Sequence, residues 1–228
     1  MLMSESLMRK LIREVLSEAF EVGTIANFQG MSTGSGDDSE VGDVIGSNKI
    51  ESLSPSAQGV FRKFISAAND EGYTIKITSA RRVPSHQWKL KYTDSGALTP
   101  AEPCRSDHQY GYALDINASI EDSGETKEIN SESPDSDWQP IVDIAKEQGL
   151  KWQGSNDRVH FYMSKTLPKD ECEGFYTELL DTDDKEDWDP ERMIELEQDG
   201  TKNTAGKTIA DILDIEDISI FASKPRVA

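Results

Sequence analysis

The sequence of 228 residues predicts an α+β fold, because helical and strand patterns occur within the same stretch of chain. Apolar residues recur every three or four positions in 54–72 and 138–148, as they do in amphipathic helices. The stretches 73–79 and 158–163 are rich in β-branched and aromatic residues, as strands are. The hydrophobic fraction is 36%, which suffices for one core of ordinary size, so we expect one domain with extensions.

The N-terminal extension divides into two parts. Leu, Ile and Val stand at helical spacing in SESLMRKLIREVLSEAF (4–20), which predicts an amphipathic helix within residues 1–20. This helix is either an arm that packs on the domain or self-associates, or a docking tag for an assembly partner. Residues 21–49 are rich in Gly, Ser and Asp and lack periodicity, which predicts a flexible linker.

The predicted domain spans 50–165 and starts with a helix. Ser54 is a suitable N-cap and Pro55 a suitable first helical residue, and a strand follows at 73–79. Residues 119–137 are polar, which predicts a long loop or a weak hairpin before the second helix.

The C-terminal extension, 166–228, carries most of the negative charge. Residues 166–200 hold fourteen acidic and three basic residues, a net charge of -11 out of -19 for the chain. The run DTDDKEDWDPE at 181–191 is typical of a solvated or disordered segment. The apolar run TIADILDIEDISIFA at 208–222 predicts a helix followed by a short strand.

Composition also excludes several kinds of partner. Lys and Arg form no stripe that could neutralise phosphates, so nucleic-acid binding is not expected. No run approaches about 18 apolar residues, so no membrane span is expected. Charged residues interrupt the apolar stretch of the N-terminal helix, so it does not resemble a secretory signal. The two cysteines, Cys104 and Cys172, leave a single bridge or a reduced pair open.

The stretch SDHQYGYALDI (106–116) places a histidine near an aspartate in an unusual context. If its second half forms a strand, Asp115 and the small Ala113 share the face opposite to the large apolar residues. Gly111 allows a bend just before that strand, so His108 can turn toward the same face. We therefore expect the side chains of His108 and Asp115 to converge.

A second histidine completes a set of metal ligands. In RVHFYM (158–163) the apolar residues take one face of the strand, so His160 points to the other. Catalytic zinc sites use three protein ligands and leave one position for water, a composition that His108, Asp115 and His160 match. Asp157, in the turn before the strand, could accept a proton from that water and pass it to a leaving amine.

Two arginines follow the first strand in TSARRVPSHQ (78–87). An arginine at the end of a strand can bind a substrate carboxylate through two hydrogen bonds or stabilise a developing oxyanion. Arg81 and Arg82 are therefore candidates for substrate binding.

These residues resemble the motifs of a known enzyme family. The pattern S-x-H-x-x-G-x-A-x-D is matched in full by Ser106, His108, Gly111, Ala113 and Asp115. Asp157 and His160 supply the acid-x-x-His element that follows. Over 50–165 the chain is similar to the D-Ala-D-Ala carboxypeptidases and L-alanyl-D-glutamate endopeptidases, the LAS-type, VanY-like zinc peptidases. Members cut peptidoglycan stem peptides, in bacteria and in phage lysis or virion proteins.

The resemblance implies a fold and a role for each residue. The fold is a small antiparallel sheet that holds the metal on one face and packs helices on the other. The implied ligands of Zn²⁺ are His108, Asp115 and His160. Asp157 is the implied general base, and Arg82 is the implied arginine for substrate and transition state. The implied substrate-binding residues are Arg82, Gln87, Ser106 and Trp152.

Two departures from the family pattern concern the pocket. Arg81 stands where the family has Tyr before the arginine, and Gln153 stands where the family has Gly. We expect both to alter the lining of the pocket more than the chemistry, so the sequence leaves the cleaved bond open.

The sequence also leaves two functions open. One is zinc-dependent hydrolysis of peptidoglycan stem peptides, of the D,D-carboxypeptidase or L-Ala-D-Glu endopeptidase type. The other is a non-catalytic zinc-fold module that binds or builds part of a phage particle. Without a signal peptide, we expect synthesis in the cytoplasm and delivery by lysis or as part of a virion.

Overall fold

An antiparallel sheet of five strands forms the centre of the computed structural model, which describes residues 49–93, 101–122 and 124–215. The strands are β1 (Tyr73–Ser79), β2 (Ala113–Asp122), β3 (Glu125–Ile129), β4 (Lys151–Trp152) and β5 (His160–Tyr162). Their order is β1-β2-β5-β4, and β3 pairs with the second half of β2. The predicted α+β class with a small antiparallel sheet is confirmed.

Six α-helices accompany the sheet within the described ranges. They are α1 (Pro55–Asp70), α2 (Pro84–Tyr92), α3 (Asp135–Glu147), α4 (Lys169–Leu180), α5 (Pro190–Gln198) and α6 (Ile209–Leu213). Three short 3-10 helices span Asp107–Tyr110, Gly154–Asn156 and Lys185–Asp187. Each of the described helices is too short or too polar to span a bilayer.

The main core lies between the sheet and the helices α1 and α3. Leu114 and Ile116 of β2 are fully buried there, as is Phe161 of β5. Phe161 stacks on Phe64 of α1, with 5.5 Å between ring centroids, and lies 5.9 Å from the ring of Trp138 in α3. Because neighbours along a strand point to opposite faces, this packing directs Asp115 and His160 away from the helices.

The polar stretch 119–137 follows the second of its two predicted alternatives, a hairpin. β2 continues to Asp122 and turns through Gly124 into β3, with Asp122 opposite Glu125. Helix α3 begins at Asp135, three residues before the predicted start at 138.

The acidic run 181–191 has exposed acidic side chains, as its charge predicts, but it is anchored by one buried residue. Trp188, in its centre, is buried, and its indole N–H donates to the carbonyl of Thr182 at 3.2 Å. A second hydrophobic core forms around it from residues on both sides of position 166: Trp88, Cys104, Tyr110, Cys172, Phe175, Tyr176, Trp188, Met193, Leu196, Ile209, Ile212, Leu213 and Ile215. The sequence did not predict this second core, because its apolar residues are dispersed among the acidic ones.

Several predictions lie outside the described residues. They are the N-terminal helix within 1–20, the linker 21–49 except for Lys49, and the strand predicted near the end of 208–222. The helix predicted for the start of that last stretch is α6.

Candidate metal centre and active site

The bend that presents His108 depends on a glycine. His108 lies on the 3-10 helix Asp107–Tyr110, which ends at Gly111 with φ +71°. A Cβ atom at Gly111 would lie 2.5 Å from the backbone N of Ser54, so neither the conformation nor the space suits another residue. The predicted bend before β2 is therefore present.

The other two candidate ligands lie side by side on adjacent strands. Asp115 of β2 pairs directly with His160 of β5. Their side chains share the face of the sheet opposite to Leu114 and Phe161, as the alternation predicts. His108 reaches this face from the 3-10 helix.

The three ligand atoms form a compact triangle. His108 Nε2 and His160 Nδ1 each lie 3.0 Å from Asp115 Oδ1, and the two nitrogens are 3.1 Å apart. In a tetrahedral zinc site with bonds of about 2.0–2.1 Å, ligand atoms lie about 3.3 Å from each other. The donor set and its spacing therefore fit Zn²⁺, and these three residues form a group that could hold a metal ion.

A backbone carbonyl fixes the tautomer of His108. Its Nδ1 lies 2.5 Å from the carbonyl oxygen of Ala80, which can only accept a hydrogen bond. Nδ1 therefore carries the proton and Nε2 presents its lone pair to the site. Burial lowers the pKa of His108, which also favours the neutral, ligating form.

Arg82 orients the candidate ligand Asp115. Its guanidinium donates to Asp115 Oδ2 at 2.6 Å, to Ser79 Oγ at 3.0 Å and to Gln87 Oε1 at 3.3 Å. Asp115 thus gives one oxygen to Arg82 and presents the other to the histidines. Burial raises the pKa of Asp115, but His108, His160 and Arg82 outweigh it and hold the pKa well below its ordinary value.

Asp157 lies in the turn between β4 and β5, directly after the 3-10 helix Gly154–Asn156. The residue is exposed as a whole, yet partial desolvation of its carboxyl group raises the pKa of Asp157, and the negative charge of Asp115 adds to the effect. A raised pKa suits a group that accepts and returns a proton.

The turn that carries Asp157 is held at both ends. The indole N–H of Trp152 donates to the carbonyl of Arg158 at 2.6 Å. Asp135, at the start of α3, accepts from Arg158 Nε at 2.6 Å and from Ser155 Oγ at 2.5 Å. Asp157 is therefore presented from a braced turn.

The predicted substrate-binding residues other than Arg82 have structural partners. Gln87 is 1% exposed, and its Nε2 donates to the carbonyl of Ala101 at 2.8 Å while its Oε1 accepts from Arg82. Ser106 precedes the helix of His108, and its N–H donates to Gln109 Oε1 at 3.1 Å. Trp152 packs partly buried on the main core. A contact of these residues with substrate stays a prediction.

Arg81 does not take the pocket position expected of it. Its guanidinium donates to the carbonyl of Leu213 at 2.5 Å, and at 3.3–3.4 Å to those of Asp214, Gln109 and Ser52. Burial lowers the pKa of Arg81 to about 10, so the side chain stays charged at neutral pH. The resemblance places Arg81 in the pocket lining. Its actual partners could not be predicted, because they lie far away in sequence.

Tyr162 is a neighbour of the site that the sequence reasoning did not select. It follows His160 by two residues on β5, and the two rings lie 5.6 Å apart between centroids. The two-residue period of the strand could have predicted this contact, because it places the side chains of His160 and Tyr162 on one face.

The two cysteines form a disulfide, Cys104–Cys172, with a separation of 68 positions in sequence. Of the two alternatives that the sequence left open, the structure has the bridge. His108, Asp115 and His160 all lie within the loop that it closes.

Part of the chain is similar to a known protein family. Residues 99–163 match the family model described as D-alanyl-D-alanine carboxypeptidase. No curated protein gives a significant match.

Two solved structures are similar in part. The L-Ala D-Glu endopeptidase ChiX of Serratia marcescens is 15% identical with a TM-score of 0.36, over 51% of this chain and 84% of its own. A zinc complex of a mutant of the vancomycin-resistance D,D-pentapeptidase VanY is 17% identical with a TM-score of 0.36, over 49% of this chain and 72% of its own. The family match spans the motif from Ser106 to His160, so the predicted resemblance to the D-alanyl-D-alanine carboxypeptidase family is confirmed over residues 99–163.

Proposed function

We propose that this protein is a zinc-dependent peptidase that hydrolyses an amide bond in peptidoglycan stem peptides, of the D,D-carboxypeptidase or L-Ala-D-Glu endopeptidase type. One observation carries the proposal. The ligand atoms of His108, Asp115 and His160 lie 3.0–3.1 Å from each other within the segment that matches the peptidase family.

The residues around the ligands prepare them for catalysis. When held by the three ligands, Zn²⁺ supplies Lewis-acid chemistry, which lowers the pKa of a water molecule to about 7 and polarises a carbonyl group. Ala80 keeps the lone pair of His108 Nε2 directed into the site, and Arg82 keeps Asp115 Oδ1 there. Asp157 accepts the proton of the attacking water and returns it to the leaving amine.

Arg82 contributes charge as well as orientation in this mechanism. Its side chain is 17% exposed, and its guanidinium lies directly beside Asp115. A positive charge there attracts the carboxylate of a stem peptide and stabilises an oxyanion that develops at the scissile carbonyl. Its ion pair with Asp115 holds the guanidinium in place before substrate arrives.

The wider setting belongs to the same proposal. Gln87, Ser106 and Trp152 shape the pocket around Arg82, His108 and the turn of Asp157. Delivery by lysis or within a virion, with an assembly partner for the N-terminal helix, would bring the enzyme to the cell wall.

Mass spectrometry of muropeptides tests the proposal. Purified full-length protein is incubated with isolated sacculi in the presence of Zn²⁺, or of a chelator followed by added Zn²⁺. We expect new carboxyl or amino ends at one type of bond, loss of products with the chelator, and their return with the metal. His108→Ala serves as the inactive control.

Two outcomes contradict the enzyme proposal. The first is no release of peptide ends under any metal condition. The second is stoichiometric binding to sacculi, unchanged in Asp157→Asn and without products, which would instead support a non-catalytic zinc-fold module.

A further inference from the structure

The segment 80–88, here called the bridging segment, contacts the metal site with one set of groups. The carbonyl of Ala80 accepts from His108 Nδ1, and the backbone N–H of Arg82 donates to the carbonyl of His108 at 3.2 Å. The guanidinium of Arg82 holds Asp115. Two of the three candidate ligands thus depend on this segment for their orientation.

Other residues of the bridging segment contact the chain beyond position 166. Arg81 donates to the carbonyl of Leu213 at the end of α6. Ser85 donates to Glu197 of α5, and the indole N–H of Trp88 donates to the carbonyl of Lys185 at 2.6 Å. The segment is therefore held between the metal site and the chain beyond position 166.

Glu197 is the buried acidic group among these anchors. It is 4% exposed, and its carboxyl group accepts from Ser85 N at 2.8 Å, Ser85 Oγ at 2.6 Å and Tyr176 OH at 2.9 Å. Ser85 is the second residue of α2, where free backbone N–H groups and the helix dipole favour a carboxylate. Glu197 therefore fixes the start of α2. This helix begins only two residues after Arg82, whose guanidinium orients Asp115.

We propose that Arg81 and Glu197 are positioning residues of the metal site. They bind the bridging segment to the C-terminal helices, so that its other groups keep His108 and Asp115 in ligating geometry. The extension from 166 onward is in this view part of the peptidase and not an appendage. The consequence for catalysis rests on the proposed function, but the consequence for metal binding does not.

The chain geometry gives the physical reason. Arg81 lies between Ala80 and Arg82, whose backbone groups both hydrogen-bond to His108, so movement of Arg81 disturbs both bonds at once. Removal of a group that directly orients a metal ligand lowers metal affinity about 10- to 100-fold. Removal of a group that acts through one further hydrogen bond should lower metal affinity about tenfold or somewhat less.

Affinity for Co²⁺ and Zn²⁺, measured by competition with a chromophoric chelator on the full-length oxidised protein, tests this inference. We expect Glu197→Ala and Arg81→Ala to bind both ions about tenfold more weakly, and the visible spectrum of bound Co²⁺ to change. Glu197→Gln should restore affinity, because its amide can accept from Ser85 N and donate to Ser85 Oγ.

Tyr176→Phe is the matched control. It removes the hydrogen bond of Glu197 that does not reach the bridging segment, so it should lower stability and leave metal affinity unchanged. Where Glu197→Ala does not fold, Ser85→Ala and Arg81→Ala carry the same test.

Unchanged affinity and Co²⁺ spectrum in both Arg81→Ala and the Glu197 or Ser85 variant would overturn the inference. So would a loss of affinity in Tyr176→Phe equal to that in the others. Weakened metal binding in a protein that cleaves no peptide would retain the positioning role and reject only the peptidase proposal.

Discussion

Asp115 is the residue on which the candidate metal site depends most. Its two oxygens serve different partners, Oδ1 the two histidines and Oδ2 the guanidinium of Arg82. One side chain therefore both completes the ligand set and neutralises a half-buried arginine. Substitution at this position should affect metal content and local order together.

Asp115→Asn should abolish stoichiometric metal binding. The amide keeps the size of the side chain but removes the negative charge that the ligand set and Arg82 share. We expect zinc content, measured by inductively coupled plasma mass spectrometry, to fall from about one ion per chain to near zero, and any peptidase activity to fall at least about 100-fold. Asp107→Asn, on the nearby 3-10 helix, should retain its zinc; equal zinc content in both variants would reject Asp115 as a ligand.

Gly111→Ala should destabilise the protein strongly. A non-glycine residue at φ +71° costs about 1 kcal/mol or more, and the new Cβ would meet the backbone N of Ser54 at 2.5 Å. We expect a loss of at least about 2 kcal/mol in the free energy of unfolding, measured with urea.

Gly59→Ala is the comparison for that measurement. Gly59 is exposed within α1, and a Cβ there would contact nothing within 4 Å. Alanine favours the helix by about 0.5–1 kcal/mol, so this variant should be more stable than the natural protein. Equal effects at both glycines would contradict the bend described before β2.

The sequence could predict that the candidate ligands converge, but not what holds them in place. His108, Asp115 and His160 follow from strand alternation and one glycine, which are local properties of the chain. The partner of Arg82 lies 33 residues away and the partner of Arg81 lies 132 residues away. The carbonyl that orients His108 belongs to the backbone of Ala80. Because every residue has a backbone carbonyl, the residue type does not reveal this contact.

At the scale of elements, the strands β1, β2 and β5 and the helices α1, α3 and α6 follow from periodicity, whereas α2, α4 and α5 do not. Helix α5 illustrates the reason. Its buried residues Met193, Leu196 and Glu197 are surrounded by exposed acids, so charge density obscures the apolar face. A buried glutamate is indistinguishable in sequence from its solvated neighbours.

The contact between α5 and α2 should make stability depend on pH. Burial raises the pKa of Glu197 from 4.5 to about 7, so between these values the folded chain keeps a proton that the unfolded chain loses. The protonated Glu197 therefore contributes its full stabilisation below pH 4.5. This stabilisation, about 3 kcal/mol in total, is lost as the pH rises to about 7.

Urea denaturation at pH 5 and pH 7.5 checks this prediction. Glu197→Gln cannot titrate, so the fall in unfolding free energy from pH 5 to pH 7.5 should be smaller in that variant by about 2 kcal/mol. The comparison cancels the other carboxyl groups, which both proteins share. Parallel pH profiles would show that Glu197 keeps an ordinary pKa.

At the scale of the whole molecule, two hydrophobic cores share the described chain. Three buried residues of the second core, Trp88, Cys104 and Tyr110, precede position 166, and its other buried residues lie beyond it. The Cys104–Cys172 bridge joins the same two parts. The described residues all fall in one compact unit.

Reduction of the bridge should weaken the whole fold. Closing a loop of 68 residues removes entropy from the unfolded chain worth up to about 4 kcal/mol. We expect the unfolding free energy to drop by about 2–4 kcal/mol in a phosphine reductant. The double variant Cys104→Ala with Cys172→Ala should be equally weak and insensitive to reductant. A natural protein with two titratable thiols before reduction would contradict the bridge.

The same bridge bears on how the molecule withstands cleavage of its own backbone. Asp115 and His160 are separated by the exposed hairpin of β2 and β3, where a protease could nick the chain. Such a cut leaves His108 and Asp115 on the piece with Cys104 and His160 on the piece with Cys172. The two pieces remain one covalent molecule, so a nicked chain can keep the three candidate ligands together until a thiol reductant separates them.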